Sequence, residues 1–237
     1  MTFLRSLVFF LVQLVWTPVY ASMVLFTFPL KPLTRYRIVS GLAYSTMWLL
    51  RVICGIRMEV RGAENIPKQP CIVLCKHQSA WETFALQTVF PPQVWVLKRE
   101  LLWLPFFGWG LALTSPIAID RSKGKQAMRQ LLEQGRDRLA RGFCVVIFPE
   151  GTRTAYGTSG KYKIGGAVLA ESTGTLVVPV AHNAGKFWGR NAFRKHPGTI
   201  VMSIGQPIDP TGLKAEEING RVEEWIEGEM ENLERGQ

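Results

Sequence analysis

The sequence predicts an α/β fold: a central mixed, largely parallel sheet flanked by helices, with an N-terminal hydrophobic, membrane-anchoring helical segment ahead of it. Three observations predict it. An uncharged apolar leader opens the chain, short apolar runs of buried-strand type follow, and amphipathic helical spacing separates the runs.

Residues 6–30 carry no formal charge. As a helix they extend about 37 Å at ~1.5 Å per residue, enough to cross a bilayer core. Pro18 lies mid-stretch, so two shorter in-plane helices are an alternative. A signal peptide cut after Val19-Tyr20-Ala21 is another, but the apolar run continues past Ala21 and only Arg5 precedes it. A second apolar run, 38–56, is interrupted by Arg51 and reads as an interfacial or re-entrant helix. Lys31, Arg35 and Arg37 outnumber Arg5, so if the leader spans, the positive-inside rule puts the remaining chain in the cytoplasm. Residues 1–57 are therefore read as the anchor and 58–237 as the globular domain.

In that domain, 58–60 is a short strand candidate, 61–65 a turn, and 71–75 (Cys-Ile-Val-Leu-Cys) a buried strand. A helix is expected over 81–89, stopped by Pro91-Pro92, with strands at 94–97 and 116–119. Ser122 reads as the N-cap of a helix in which Ala127, Met128, Leu131, Leu132, Gly135 and Leu139 follow a three-four spacing up to Gly142. The run 143–148 is a buried strand, 163–172 a short helix ended by Gly174, and 176–181 and 199–204 are strands. The terminal helix, 213–233, places Ile218, Val222, Trp225, Ile226, Met230 and Leu233 on one face. No repeat or low-complexity linker interrupts this order.

The charge balance is 28 basic against 18 acidic residues, +10 net, which suits an anionic partner. A nucleic acid is disfavoured, because the basic residues are scattered and the apolar leader has no place there. The four cysteines lack a CxxC pair and sit in apolar runs, which reads as buried thiols in a reducing compartment and argues against a metal site.

The first chemical constellation is Lys76-His77-Gln78-Ser79-Ala80-Trp81-Glu82, between a buried strand and a helix. A carboxylate five residues after the imidazole can fix its tautomer and stabilise the imidazolium, leaving the second nitrogen to take a proton from a hydroxyl. The competing reading of Ser79-x-x-Glu82 is a capping box that only closes the helix start. The second constellation is Phe148-Pro149-Glu150-Gly151-Thr152-Arg153, after the most apolar strand. Gly151 allows backbone N–H groups to approach a phosphate, Thr152 adds a hydroxyl and Arg153 a planar fork, while Glu150 holds Arg153 or the loop; the alternative is a plain surface turn. Ile119-Asp120-Arg121 offers Arg121 as a second phosphate ligand oriented by Asp120. Val177-Val178-Pro179-Val180 is a buried strand in which Pro179 shapes the edge or forms part of a lipid-binding wall.

Together these segments resemble the 1-acyl-sn-glycerol-3-phosphate (lysophosphatidic acid) acyltransferase family, bacterial type, over about residues 60–205. The family's first block is His, four residues, then Asp; His77 and Glu82 stand in it, with Glu for the usual Asp. Its second block centres on an arginine matched by Arg121. Its third matches Phe148 to Arg153 letter for letter, and its fourth matches the apolar strand around Pro179. Lys98-Arg99-Glu100-Leu101 is similar to the family's Lys-x-Glu-Leu segment. The resemblance implies His77 as base with Glu82 behind it. Arg121, Glu150, Gly151, Thr152 and Arg153 would bind the substrate phosphate, and Lys98 and Pro179 the acyl or lipid part. It implies no cofactor or metal, only acyl-CoA or acyl carrier protein (acyl-ACP) as co-substrate, with lysophosphatidic acid and membrane phospholipids as partners at the cell inner membrane. Another lyso-lipid or glycerol 3-phosphate as acceptor, or a non-catalytic lipid-binding role, are the rival readings.

Overall fold

The computed structural model describes residues 1–90, 92–104 and 107–235. Three helices lead: α1 (Thr2–Leu25), α2 (Pro32–Val39) and α3 (Gly41–Leu49). A π-helical turn, Leu50–Cys54, ends at Gly55, whose left-handed backbone (φ +70°) releases the chain into β1 (Ile56–Arg61). Then come β2 (Ile72–Cys75), α4 (Trp81–Val89), β3 (Gln93–Lys98), a 3-10 turn at Arg99–Trp103, α5 (Phe107–Ala112) and β4 (Ile117–Ile119). After these follow α6 (Gly124–Ala140), β5 (Cys144–Ile147), α7 (Gly165–Thr173), β6 (Val177–His182), α8 (Ala184–Phe187), β7 (Gly198–Ile204) and α9 (Ala215–Arg235).

The strands form one seven-stranded sheet in the order β1-β7-β6-β2-β5-β3-β4. Every pairing is parallel except β6 with β7. The C-terminal ends of β2, β3, β4, β5 and β6 therefore share one edge. Because β7 reverses direction, the N-terminal ends of β7 and β1 open at that edge too. This is where α/β sheets hold ligands.

One face of the sheet is covered by α6, α7 and α9. On α9, Ile218, Val222, Ile226, Met230 and Leu233 are buried at helical spacing, each stabilising its docking by roughly 1.5–3 kcal/mol. The other face packs under α3 and α4, with Leu86 and Phe90 against Val73, Val146 and Val178. Phe9, Leu50 and Cys54 from the leader join this second core.

The leader departs from a simple stalk. Helix α1 is long and apolar enough to cross a membrane, yet it is docked along its length. Ser6 Oγ accepts from Lys195 N, Gln13 donates to Thr46, Trp16 to Ser45, and Tyr20 to the Ile38 carbonyl. The helix runs through Pro18 unbroken, since a proline forfeits one hydrogen bond that flanking turns can outweigh. The 38–56 run resolves into α2, α3 and the π turn. One further correction concerns a helix start. Ser122 does not cap α6; Asp120 Oδ1 captures both the Ser122 N–H (3.2 Å) and hydroxyl (2.6 Å), and the helix begins two residues later. Of the prolines expected to stop α4, Pro91 lies outside the described residues. All four cysteines are buried free thiols, with Cys71 and Cys144 Sγ atoms 3.6 Å apart on adjacent strands.

Candidate active site

His77 follows β2 at the edge where the C-terminal ends of β2 to β6 gather. Its Nδ1 lies 2.8 Å from Glu82 Oε1 in the first turn of α4. The ring stacks on Phe148 at 3.9 Å and 14°, which fixes its plane. The side chain is 14% exposed, and Nε2 has no partner among the described residues. Glu82 is fully buried, and the same Oε1 accepts the Gln78 and Ser79 N–H groups at 3.0 and 2.9 Å. The extra methylene is thus absorbed by folding the side chain back over the helix start, so one carboxylate oxygen meets both the backbone ahead of α4 and His77 Nδ1. Ser79 Oγ accepts from Trp81 N. Burial pushes the Glu82 carboxyl up; the His182 edge 3.9 Å away, the His77 bond and the Ser79 N–H outweigh it and hold the group below its ordinary value.

His182, at the end of β6, is completely buried behind this pair. Its Nδ1 accepts from Ala184 N and its Nε2 meets the Lys76 carbonyl at 2.9 Å, a pattern that requires the neutral Nε2–H tautomer. Burial depresses its pKa against the opposing pull of Glu82. Sequence reasoning passed over His182 because nothing local marks it; its role comes from a neighbour about a hundred residues away in the chain.

The Glu150 loop is stitched to His77. Glu150 Oε2 accepts the His77 N–H (2.9 Å), and Thr154 N donates to the His77 carbonyl (2.8 Å). Glu150 Oε1 also takes Thr154 Oγ1, Gly160 N and Lys76 Nζ, the last at 2.9 Å. With four donors on a buried carboxylate, Glu150 holds the loop and does not face a phosphate, which corrects its place among the anion ligands. Lys76, 1% exposed, completes the network through Glu227 on α9 at 2.7 Å, and Tyr162 donates to the same Glu227 oxygen. Lys76 and Glu227 were missed: a buried lysine can be recognised only with its carboxylates in place.

The rest of the loop is open to an anion. Gly151 adopts φ +71°, where a side chain would be strained; a Cβ there would also lie 2.6 Å from Lys163 Nζ. The N–H groups of Thr152 and Arg153 have no acceptor among the described residues, and the buried Arg153 Nε has none either. Thr152 is exposed and Arg153 half-buried. Arg121, after β4, donates through Nη1 to the Gly151 carbonyl at 2.6 Å, leaving its other N–H groups available. Asp120 does not orient Arg121: it is taken by Ser122 and lies 3.5 Å from Arg99. Lys98 ends β3 at the same edge, exposed. Pro179 is not a lipid wall. It is buried in mid-sheet opposite Leu74, and a Cβ on Gly205 would touch both its ring and Trp225, so it packs beneath α9. Among the described residues, no three His, Cys, Asp or Glu side chains gather as metal ligands would.

A buried carboxylate, an imidazole with one free nitrogen and a loop bearing unpaired N–H and guanidinium donors lie at one end of the sheet. Comparison with known proteins identifies the class. The family model described as Acyltransferase matches residues 57–183. The chain is 46% identical to the 1-acyl-sn-glycerol-3-phosphate acyltransferase of Pseudomonas aeruginosa, covering 97% of this chain and 91% of that one. It is 31% identical to the alpha enzyme of that name from Bos taurus, over 78% of this chain and 66% of the bovine one. The crystal structure of the 1-acyl-sn-glycerophosphate acyltransferase of Thermotoga maritima superposes with a TM-score of 0.82 at 24% identity, covering 98% and 96% of the two chains. At that identity the likeness concerns the fold. The chain belongs to the 1-acyl-sn-glycerol-3-phosphate acyltransferase family, and it is an enzyme.

Proposed function

We propose that this enzyme transfers a fatty acyl group from a thioester, acyl-CoA or acyl-ACP, to the sn-2 hydroxyl of 1-acyl-sn-glycerol 3-phosphate, giving phosphatidic acid for phospholipid biosynthesis. The observation that carries it is the stitching of His77 to the loop whose donors at Thr152 and Arg153 are unpaired. A lyso-lipid phosphate held by Arg153, Arg121, Gly151 and Thr152 brings its alcohol towards Nε2. His77 takes the hydroxyl proton as the oxygen attacks the thioester carbonyl, and Glu82 stabilises the imidazolium. Collapse of the tetrahedral intermediate breaks the C–S bond, and the leaving thiolate recovers the proton from His77. The acceptor is itself the nucleophile, so no acyl-enzyme and no cofactor are needed. In this reading Lys98, exposed at the same edge, contacts the acyl donor.

The leader suits such a substrate. Helix α1 is docked on the domain while exposing Leu11, Leu14, Val15 and Met23, and Trp103 and Trp109 are exposed near its far end. Partial embedding in the bilayer plane satisfies both facts, because a crossing helix would drag its docked partners into the hydrocarbon. The surplus of cations favours the anionic cytoplasmic leaflet of the inner membrane.

The test is release of free thiol by purified protein from acyl-CoA, and separately from acyl-ACP, with 1-acyl-sn-glycerol 3-phosphate, glycerol 3-phosphate and lysophosphatidylcholine as acceptors. Turnover that does not depend on the first acceptor overturns the reading.

A further inference from the structure

We infer that the enzyme carries a second lipid site, separate from its catalytic centre, that takes the phosphate of an anionic bilayer phospholipid. A cleft of about 530 Å³, within the size range of ligand sites, opens between the π turn, the start of β1 and the start of β7. Its lining includes Arg51, Arg57, Gly55, Gly198 and Thr199. Arg5 does not line the cleft but brings a third guanidinium close to it, since a Cβ on Gly55 would lie 3.5 Å from its Nη1. None of these three arginines has a carboxylate within ion-pair distance among the described residues. The one acid on the same side of β1, Glu59, is taken by Arg61 at 2.7 Å. Three uncompensated guanidinium groups around a cleft favour a phosphate, which they can grip by paired N–H donors.

The surface beside the cleft says what carries that phosphate. Tyr44, Trp48 and Val52, spaced four apart, are 51%, 62% and 60% exposed and form an apolar stripe leading to Arg51. Tyrosine and tryptophan favour the bilayer interface. An amphiphile with its tail along this stripe and its headgroup in the cleft fits both halves of the surface; a free anion uses only one. The cleft lies at the sheet edge that bears His77, three strands away, or about 14 Å at ~4.8 Å per strand. A lipid seated there would fix the height of the catalytic edge against the bilayer.

This inference rests on the membrane association proposed above, but its test does not require turnover. Full-length protein in detergent micelles is examined by native mass spectrometry with phosphatidylglycerol, phosphatidylcholine or inorganic phosphate added separately. The expected result is one retained phosphatidylglycerol, preferred at least tenfold over phosphatidylcholine. Arg51→Gln with Arg57→Gln lowers that retention at least tenfold, whereas Arg51→Lys with Arg57→Lys keeps most of it. Arg153→Gln leaves it unchanged, separating this site from the catalytic one, and Trp48→Ser weakens it. Equal retention by the double glutamine variant, equal binding of phosphatidylcholine, or inorganic phosphate binding as tightly as the lipid overturns the inference. Thiol release by the wild type is measured in parallel, so failure of lipid retention and failure of acyl transfer are distinguishable.

Discussion

Lys76 Nζ lies 2.7 Å from Glu227 Oε1, so the residue preceding His77 is tied to the C-terminal helix. The same ammonium meets Glu150 at 2.9 Å, and Glu150 in turn holds the His77 N–H. Position in this site is therefore set from behind, by a buried cation shared between two carboxylates. Glu227→Gln removes one charge from a group that is only partly exposed and is expected to cost about 2 kcal/mol of stability, lowering kcat more than either KM. Lys76→Met leaves Glu150 buried without its cation and is expected to be worse, about 3–5 kcal/mol. Denaturant unfolding with steady-state kinetics checks both; a Glu227→Gln enzyme with unchanged kcat means α9 does not position the loop.

His77→Ala removes the imidazole whose free nitrogen has no protein partner among the described residues. General-base assistance contributes about 10² to 10⁴ in rate, and kcat is expected to fall by that order or more. The ring also stacks on Phe148 and partners the buried Glu82, so some stability is lost as well, and activity is compared at a temperature where the variant is folded. Substantial turnover in this variant removes His77 from the chemistry.

Glu82 has two duties on one oxygen, and two variants separate them. In Glu82→Gln the amide can still meet the helix start but supplies no charge to the imidazolium; kcat is expected to drop about 10²- to 10⁴-fold with a modest stability loss. Glu82→Asp retains the charge but shortens the reach to His77 Nδ1, and should give intermediate rates. If the Glu82→Gln enzyme loses stability but keeps its rate, capping is the whole role of the residue.

Much of this site was legible in the chain because its parts are local. His77 and Glu82 are five residues apart across a strand-to-helix junction, and Glu150 to Arg153 follow one apolar strand, so strand ends alone bring the blocks to a common edge. What was not legible depends on distant partners. Lys76 and Glu227 look like ordinary charges until the fold buries the lysine against the carboxylate, and His182 acquires meaning only from Glu82. Pro179 misled because a proline in an apolar strand reads equally as an edge or a wall; Gly205 and Trp225, which enclose it, come from other elements. Ser122 misled because its hydroxyl is spent on Asp120 Oδ1, and α6 starts at Gly124 without a side-chain cap.

Arg153 keeps a buried Nε without a partner, beside two unpaired backbone N–H groups. Arg153→Ala is expected to raise the KM for the phosphorylated acceptor roughly 10- to 100-fold, about 1.4–2.8 kcal/mol, with little change in the KM for the thioester. Arg121→Lys tests the neighbouring role: its Nη1 holds the Gly151 carbonyl, so losing the planar fork should loosen the loop and affect kcat as well as the acceptor KM. An acceptor KM untouched by Arg153→Ala places the phosphate elsewhere.

The buried His182 makes a prediction about acid. Burial holds its pKa below the ordinary value of about 6.5, because the folded state accommodates only the neutral ring, with Nε2–H directed at the Lys76 carbonyl and Nδ1 accepting from Ala184. A group whose pKa is lower folded than unfolded contributes stability that is full above the unfolded value and declines as pH falls through it toward the folded value. Glu82, also depressed, adds a second loss at lower pH, below the ordinary carboxylate range of about 4.3. Melting temperature is therefore expected to be flat above about pH 7, to fall from about pH 6.5 downward, and to steepen below about pH 4.5. His182→Asn, which keeps a donor for the Lys76 carbonyl but cannot be protonated in this range, should lower stability at pH 7.5 and flatten the first decline while leaving the second. Thermal unfolding in detergent across this range decides it: an identical slope between pH 6.5 and 5 in the variant assigns the acid sensitivity to another group.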